Sequence, residues 1–305
     1  VHEASITHRL PAPTEVEAYL TLMRIVDSEA GKSVLRAKGD VLVYLAVGQP
    51  RRYFNRMPRT AYVALFLYPV AVLALLGRPA TADERSPLKV CILSGCPTYN
   101  SETSLPPFQD WLETNYNVRC TRVVRQAVDN LPGLEQLDDC DVALVFFKRM
   151  ELKGDQLERF KRYVTSGRPL VAVRTASHAV QTWLAFDREV LGGNYQMHYP
   201  KGPVTTVEII ADSKNHPILA GVEITQVGEP LYKNRGHAAD VQVLLRGAIP
   251  GEPGEDVAWA REYKGGRIFY TSLGSEETFQ QPGFRRMLTN ALFWTTSREL
   301  QGRKP

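Results

Sequence analysis

Two histidines, an arginine and a set of tyrosines are the side chains of this 305-residue chain best suited by type and spacing to do chemistry. Arg174 stands at the end of an apolar run, and Thr175-Ala176-Ser177-His178 follow it directly. Its planar guanidinium could hold a carboxylate, a phosphate or paired sugar hydroxyls. An ion pair with a neighbouring Asp or Glu is the plainer use. Ser177 reads as a helix N-cap; the sharper reading makes it a nucleophile with His178 as its base. Neighbours on one helix point about 100° apart, which argues against a direct Ser177–His178 hydrogen bond. His178 with His198 is the better couple, as acid and base or as two metal ligands. A divalent metal needs a third ligand and no spacing supplies one, so no cofactor is expected. Tyr195, Tyr199, Tyr232 and Trp183 suit stacking on sugar faces, although core packing explains Trp183 better. His216 precedes a proline and reads as a turn residue, and His237 lies in a polar loop with nothing to position it.

Those residues need a frame, and the apolar pattern provides one. Residues 88–95 (LKVCILSG), 118–125, 142–147 (VALVFF) and 170–173 read as strands, the third covered on both faces. Helical spacing is present over 107–116 and 153–165; in the second, Leu157, Phe160, Tyr163 and Val164 share a face and Gly167 ends the helix. The order is β-α-β twice, which predicts an α/β fold with an open, mainly parallel sheet and helices on both faces. The second half alternates at 204–210, 222–227 and 241–245, as antiparallel strands do. Strands at 256–263 and 267–272 are joined by Lys264-Gly265-Gly266, a hairpin signal, and a helix over 284–295 closes the chain. In such sheets ligands bind beyond the carboxyl ends of the strands. That rule selects the loops at Ser94, Lys148-Arg149, Arg174–His178 and 272–276, and so adds Ser94, Ser272 and Glu276 to the substrate-binding candidates.

Residues 57–82 carry the three regions of a secretory signal: Met57 and Arg59, an apolar run over 61–76, then Ala80-Thr81-Ala82. The run is short for a membrane span of roughly 20 residues. The expectation is a start at Met57, an over-extended segment 1–56, and an exported mature domain 83–305 in the periplasm or outside the cell. An uncleaved anchor and a buried apolar helix are the alternatives. The formal charge of +4 is carried by residues 1–82, and the remainder is balanced, so nothing supports nucleic-acid binding. All four cysteines lie after residue 82 without a C-x-x-C pair. Cys91 and Cys120 read as buried free thiols on strands and Cys96 as inert, although an oxidising compartment would allow one disulfide.

Several stretches share one resemblance: VAVRTASH at 171–178, LGGNYQMH at 191–198, His216-Pro217-Ile218-Leu219, Glu229-Pro230-Leu231-Tyr232, GRIFYTSLG at 266–274, then FRRML at 284–288 and NALFW at 290–294. Together they resemble the ThuA-like, or trehalose-utilisation, family over most of 88–295, the closing pair most specifically. The resemblance implies a flavodoxin-like, doubly wound fold related to class I glutamine amidotransferases, and a link to carbohydrate metabolism. In amidotransferases the turn after the fourth strand presents a nucleophilic cysteine. ThuA-like sequences commonly have a histidine there, and this chain has Arg174. A guanidinium cannot attack a carbonyl, so amidotransferase activity is not expected. The closing L-G-H is here Leu273-Gly274-Ser275, whereas His198 matches the family's histidine after the paired glycines. The expected function is to act on, or bind, a small carbohydrate in a cleft at the carboxyl ends of the strands. A non-catalytic carbohydrate-binding domain is the alternative, and homo-oligomerisation stays open.

Overall fold

The computed structural model describes residues 86–303 and, as strands only, Lys32–Arg36 and Leu42–Ala46. The signal expected at 57–82 lies outside the described residues, as does the rest of 1–56. The chain divides into two compact units, Val1–Thr81 and Ala82–Pro305. In the first, β1 (Lys32–Arg36) pairs antiparallel with β2 (Leu42–Ala46). The second carries the site.

Its centre is a nine-stranded sheet. β3 (Leu88–Gly95), β4 (Val118–Val124), β5 (Val142–Phe147) and β6 (Leu170–Val173) are the strands of the first half. The outlying pair β7 (Tyr195–His198) and β10 (Tyr232–Asn234) forms a separate antiparallel ribbon. The second half adds β8 (Thr205–Ile209), β9 (Gln226–Val227), β11 (Gln242–Ala248), β12 (Glu255–Tyr263) and β13 (Gly266–Thr271). The order across the sheet is β4-β3-β5-β6-β13-β12-β11-β8-β9. The first five are parallel, and from β13 onward each pair is antiparallel. Numbered by their own sequence order, the parallel strands run 2-1-3-4-5, the flavodoxin-like arrangement.

Alternation along the strands splits the core in two. Val90, Ile92, Leu144, Phe146 and Val173 face one side with Phe108, Met287 and Leu288. Those partners come from helices α1 (Ser101–Asn115) and α4 (Pro282–Thr295). Cys91, Leu93, Val145, Phe147 and Ala172 face the other side with Phe160 and Val164, which lie on α2 (Gly154–Thr165). The short α3 (Glu276–Gln280) precedes α4. Helices therefore cover both faces.

Two boundaries differ from the sequence pattern. Helix α1 begins at Ser101, not at the prolines, and holds Pro106 and Pro107 inside it. Its buried Ser104, Leu105, Phe108 and Leu112 outweigh the two backbone bonds that the prolines remove. The alternating stretch 222–227 pairs only at Gln226–Val227; Val222 and Ile224 are buried without joining the sheet. The β12–β13 hairpin turns through Lys264 (φ 51°) and Gly265 (φ 81°), the left-handed pair of a type I′ turn.

Gly167, just past α2, meets that hairpin backbone to backbone. A Cβ on Gly266 would lie 2.1 Å from the Gly167 carbonyl oxygen. Gly266→Ala is therefore expected to destabilise by about 2–3 kcal/mol, the upper part of the overpacking range. Urea unfolding measures it, and a cost under about 1 kcal/mol would mean the hairpin yields without loss.

Candidate functional site

The site is assembled at the carboxyl ends of β3, β5, β6 and β13 and completed by the β7–β10 ribbon. After Val173 the chain enters one 3-10 turn, Arg174–His178. Arg174 takes φ 49°, a left-handed value that costs a side-chain-bearing residue about 1–2 kcal/mol. Its side chain is buried, 1% exposed. The guanidinium donates to the Ser272 carbonyl, to the Tyr99 hydroxyl at 2.9 Å and to the Pro230 carbonyl at 3.0 Å. It lies between two aromatic rings, 4.3 Å from the centroids of both Tyr99 and Tyr232. Tyr270 donates to the Arg174 carbonyl at 2.8 Å. Burial opposes the charge, but the oxygens of Tyr232, Glu229 and Tyr99 outweigh it and move the pKa upward. Two ring faces and three oxygens thus hold the buried cation, where the sequence offered substrate binding or an ion pair with Asp or Glu.

Tyr232 passes this order to the histidines. Its ring centroid is 6.0 Å from His178, 6.4 Å from His198 and 4.7 Å from Tyr195. His178 stacks on Tyr195 at 4.5 Å with 23° between planes. The two histidines expected to work together therefore flank one ring, and Tyr195 completes an aromatic wall with them.

Ser177 Oγ and His178 Nδ1 are 3.1 Å apart. This corrects the expectation that adjacent residues would diverge: the segment is one tight turn rather than an α-helix, and Nδ1, the ring nitrogen nearer the backbone, folds back. Ser177 caps no helix; its hydroxyl is also 3.4 Å from the Arg174 carbonyl. His178 has its pKa lowered from 6.5 to about 3, first by burial and then by the charges of Arg149, Lys148 and Arg174. It is a neutral imidazole at ordinary pH. His198 is exposed, and its Nδ1 is 2.8 Å from the Tyr199 carbonyl. A carbonyl only accepts, so Nδ1 carries hydrogen and the neutral ring keeps its lone pair on Nε2.

Other candidates fall elsewhere. Tyr199 is buried and donates to Glu255 Oε1 at 3.1 Å, with Lys233 Nζ 4.0 Å from its ring centroid. Ser94 is buried and donates to Ser101 Oγ at 2.9 Å. Ser272 is buried, and its carbonyl serves Arg174. All three are buried, so they do not present the surface to a ligand that the sequence reading expected of them. His216 accepts from the Ile218 amide at 3.2 Å, the turn role expected of it. His237 pairs with Asp256 at 3.1 Å and packs on Trp259. Trp183 is partly buried against the core, where its ring meets Phe186. Among the described residues no three His, Cys, Asp or Glu side chains gather as metal ligands would, and no helix is long and apolar enough to cross a membrane.

Glu276 lies in a cleft of ≈ 500 Å³ together with Tyr99, Asn100, Lys201, Glu229 and Glu277. Its carboxylate accepts from Asn100 Nδ2 at 2.8 Å. The histidines do not line this cleft; Tyr99 links the two, since its ring also stacks on Arg174. Glu229 is buried and accepts from the Gly274 amide at 2.8 Å, the Ser275 amide at 3.4 Å and Thr278 Oγ1 at 2.7 Å. Tyr99 and Glu229 were not singled out from sequence. Both stood in stretches already marked, the loop after the first strand and the EPLY motif, but neither stretch shows which side chain turns inward.

His178 and Asp187 give stability opposite dependences on pH. The pKa of Asp187 is raised from 3.8 to about 6 by burial. Its contribution is full below 3.8 and is lost as pH rises through 6. That of His178 is full above 6.5 and is lost as pH falls toward 3. His178→Gln should therefore lose less stability than wild type between pH 7 and pH 4, read as urea midpoints; equal losses would show His178 titrating normally.

The profile of the family described as ThuA, trehalose utilisation, matches residues 89–295. The chain belongs to the ThuA family. Similar solved structures include a ThuA-like protein from Bacteroides uniformis, 20% identical with a TM-score of 0.52, covering 72% of this chain and 95% of that one. A ThuA-like protein from Parabacteroides merdae is 16% identical with a TM-score of 0.55, over 72% and 94%. These likenesses show the fold. No curated protein matches the chain. In this ThuA domain the turn after β6 has a left-handed residue, Arg174, and presents a buried guanidinium. Cys96, in the loop after β3, is buried, and burial raises its pKa.

Proposed function

We propose that this ThuA protein binds a sugar or sugar derivative against the His178–Tyr195–His198 wall and acts on it by proton transfer. The observation that carries the reading is that Tyr232 brings both histidines to one ring at the carboxyl edge of the sheet. His198, exposed with Nε2 unprotonated when neutral, is the proton acceptor. His178, kept neutral, hydrogen-bonds to oxygen where charge develops, a role that a neutral imidazole can fill. Tyr195 offers a ring to the sugar, and Tyr99 with Glu276 extends the surface into the cleft. Arg174 keeps the rings in place and does not touch substrate. The reading invokes no cofactor.

Calorimetry of the full chain against a panel of neutral and derivatised sugars tests this. Tyr195→Ala should weaken the best ligand about tenfold, the loss of one stacking ring. A panel without a single binder would end the reading. Arg174 in the turn after β6 favours a second one, a carbohydrate-binding domain without turnover; wild type would then bind a sugar and leave it unchanged. Export is part of the proposal and rests on the pattern at 57–82. A native N-terminus upstream of Met57 would count against it.

A further inference from the structure

The loop after β5 supplies a group that the proposed chemistry does not use. Lys148 and Arg149 follow Phe147 directly. Arg149 adopts φ 49°, a left-handed backbone that side chains avoid and that clusters at functional sites. The loop is laced to the turn that carries the histidine. The Arg149 amide donates to the His178 carbonyl at 3.1 Å, and the Met150 amide donates to the Ala179 carbonyl at 2.6 Å. Lys148 is half-buried and fixed, its Nζ donating to Thr98 Oγ1 at 2.6 Å. Arg149 is exposed, and among the described residues its guanidinium makes no hydrogen bond, ion pair or ring contact. β3 and β5 also flank the point where the strand order reverses, the usual ligand crevice of this topology.

The nearby carboxylates are engaged or stand apart. Glu229 is held by Gly274, Ser275 and Thr278. Asp187 sits beneath Tyr195 and accepts its amide at 2.7 Å. Glu276 and Glu277 lie in the cleft with Tyr99. Lys148, Arg149 and Arg174 thus bring positive charge to His178, while Glu276 and Glu277 share their cleft with Lys201. The charges that bear most strongly on His178 are those of Arg149, Lys148 and Arg174.

We propose that the ligand carries an oxyanion, a carboxylate or phosphate on a sugar, and that Arg149 docks it beside His178 while the hydroxyls point toward Tyr99 and the cleft. This rests on the sugar reading of the same wall and names its substrate class. A guanidinium fork matches either oxyanion, and the two are separated by the probes.

The test is calorimetry of the full chain with glucose, glucuronate, glucose 6-phosphate and inorganic phosphate, at low and high salt. Arg149→Asn removes the charge with a residue that tolerates the left-handed backbone, and Arg149→Lys keeps the charge. Glucuronate or glucose 6-phosphate should bind at least about tenfold more tightly than glucose, and weaken with salt. Arg149→Asn should erase that advantage and leave glucose unchanged, and Arg149→Lys should retain part of it. Glucuronate ahead of glucose 6-phosphate assigns the carboxylate, and the reverse order the phosphate; both support the proposal. Equal binding of glucose and the charged sugars, indifferent to Arg149→Asn, overturns the oxyanion and keeps the sugar. Phosphate binding that depends on Arg149 and gains nothing from an attached sugar keeps the oxyanion and overturns the sugar. No binding of any probe overturns both.

Discussion

With the best-binding sugar as substrate, His198→Ala is expected to lower kcat by about 10²–10⁴-fold, the ordinary worth of a positioned acid or base. Its Kd should stay within a few-fold of wild type. The split follows from the geometry. The ring of His198 is exposed and is fixed through Nδ1 by the Tyr199 carbonyl, so its free nitrogen points away from that anchor. The stacking surface belongs instead to Tyr195, since Tyr232 is buried beneath it with Arg174 on its ring. Turnover that survives in His198→Ala would remove it from the chemistry. Loss of binding with loss of turnover would make it a ligand contact.

Arg174→Ala should lower the stability of the domain by about 3–5 kcal/mol, the combined cost of unmet buried hydrogen-bond groups and a large-to-small cavity. The substitution leaves the Ser272 and Pro230 carbonyls and the Tyr99 hydroxyl without their donor. It also opens a cavity between the Tyr99 and Tyr232 rings. Relief of the left-handed backbone offsets little, because alanine is strained there too. Urea unfolding reads the effect. A loss below about 1 kcal/mol would show that water replaces the guanidinium and that the sandwich does not organise the wall.

The parallel half of the fold was legible because burial on both faces forces continuous apolar runs such as Val142–Phe147. The β12–β13 hairpin was legible through Lys264-Gly265. The ribbon that carries the site was not. YQMH and YKN have no apolar alternation, since β7 and β10 pair with each other outside the main sheet. The rule that ligands gather at the carboxyl ends selected Arg174, His178 and the loop of Lys148 and Arg149, while His198 was marked by its match to the family's histidine after the paired glycines. It could not give side-chain direction. Ser94 turns toward Ser101 at the start of α1, and Tyr199 turns into a core with Glu255. Nor could it show Arg174 bonded to Tyr99, 75 positions away, because that contact depends on two loops meeting at the sheet edge.

The most direct test of the central claim is side-chain NMR of the imidazoles as sugar is added to the full chain. The account predicts that the resonances of His178 and His198 shift together and saturate at the same ligand concentration, while His216, packed on Trp294, stays still. Sugar binding that leaves both His178 and His198 unmoved would contradict it.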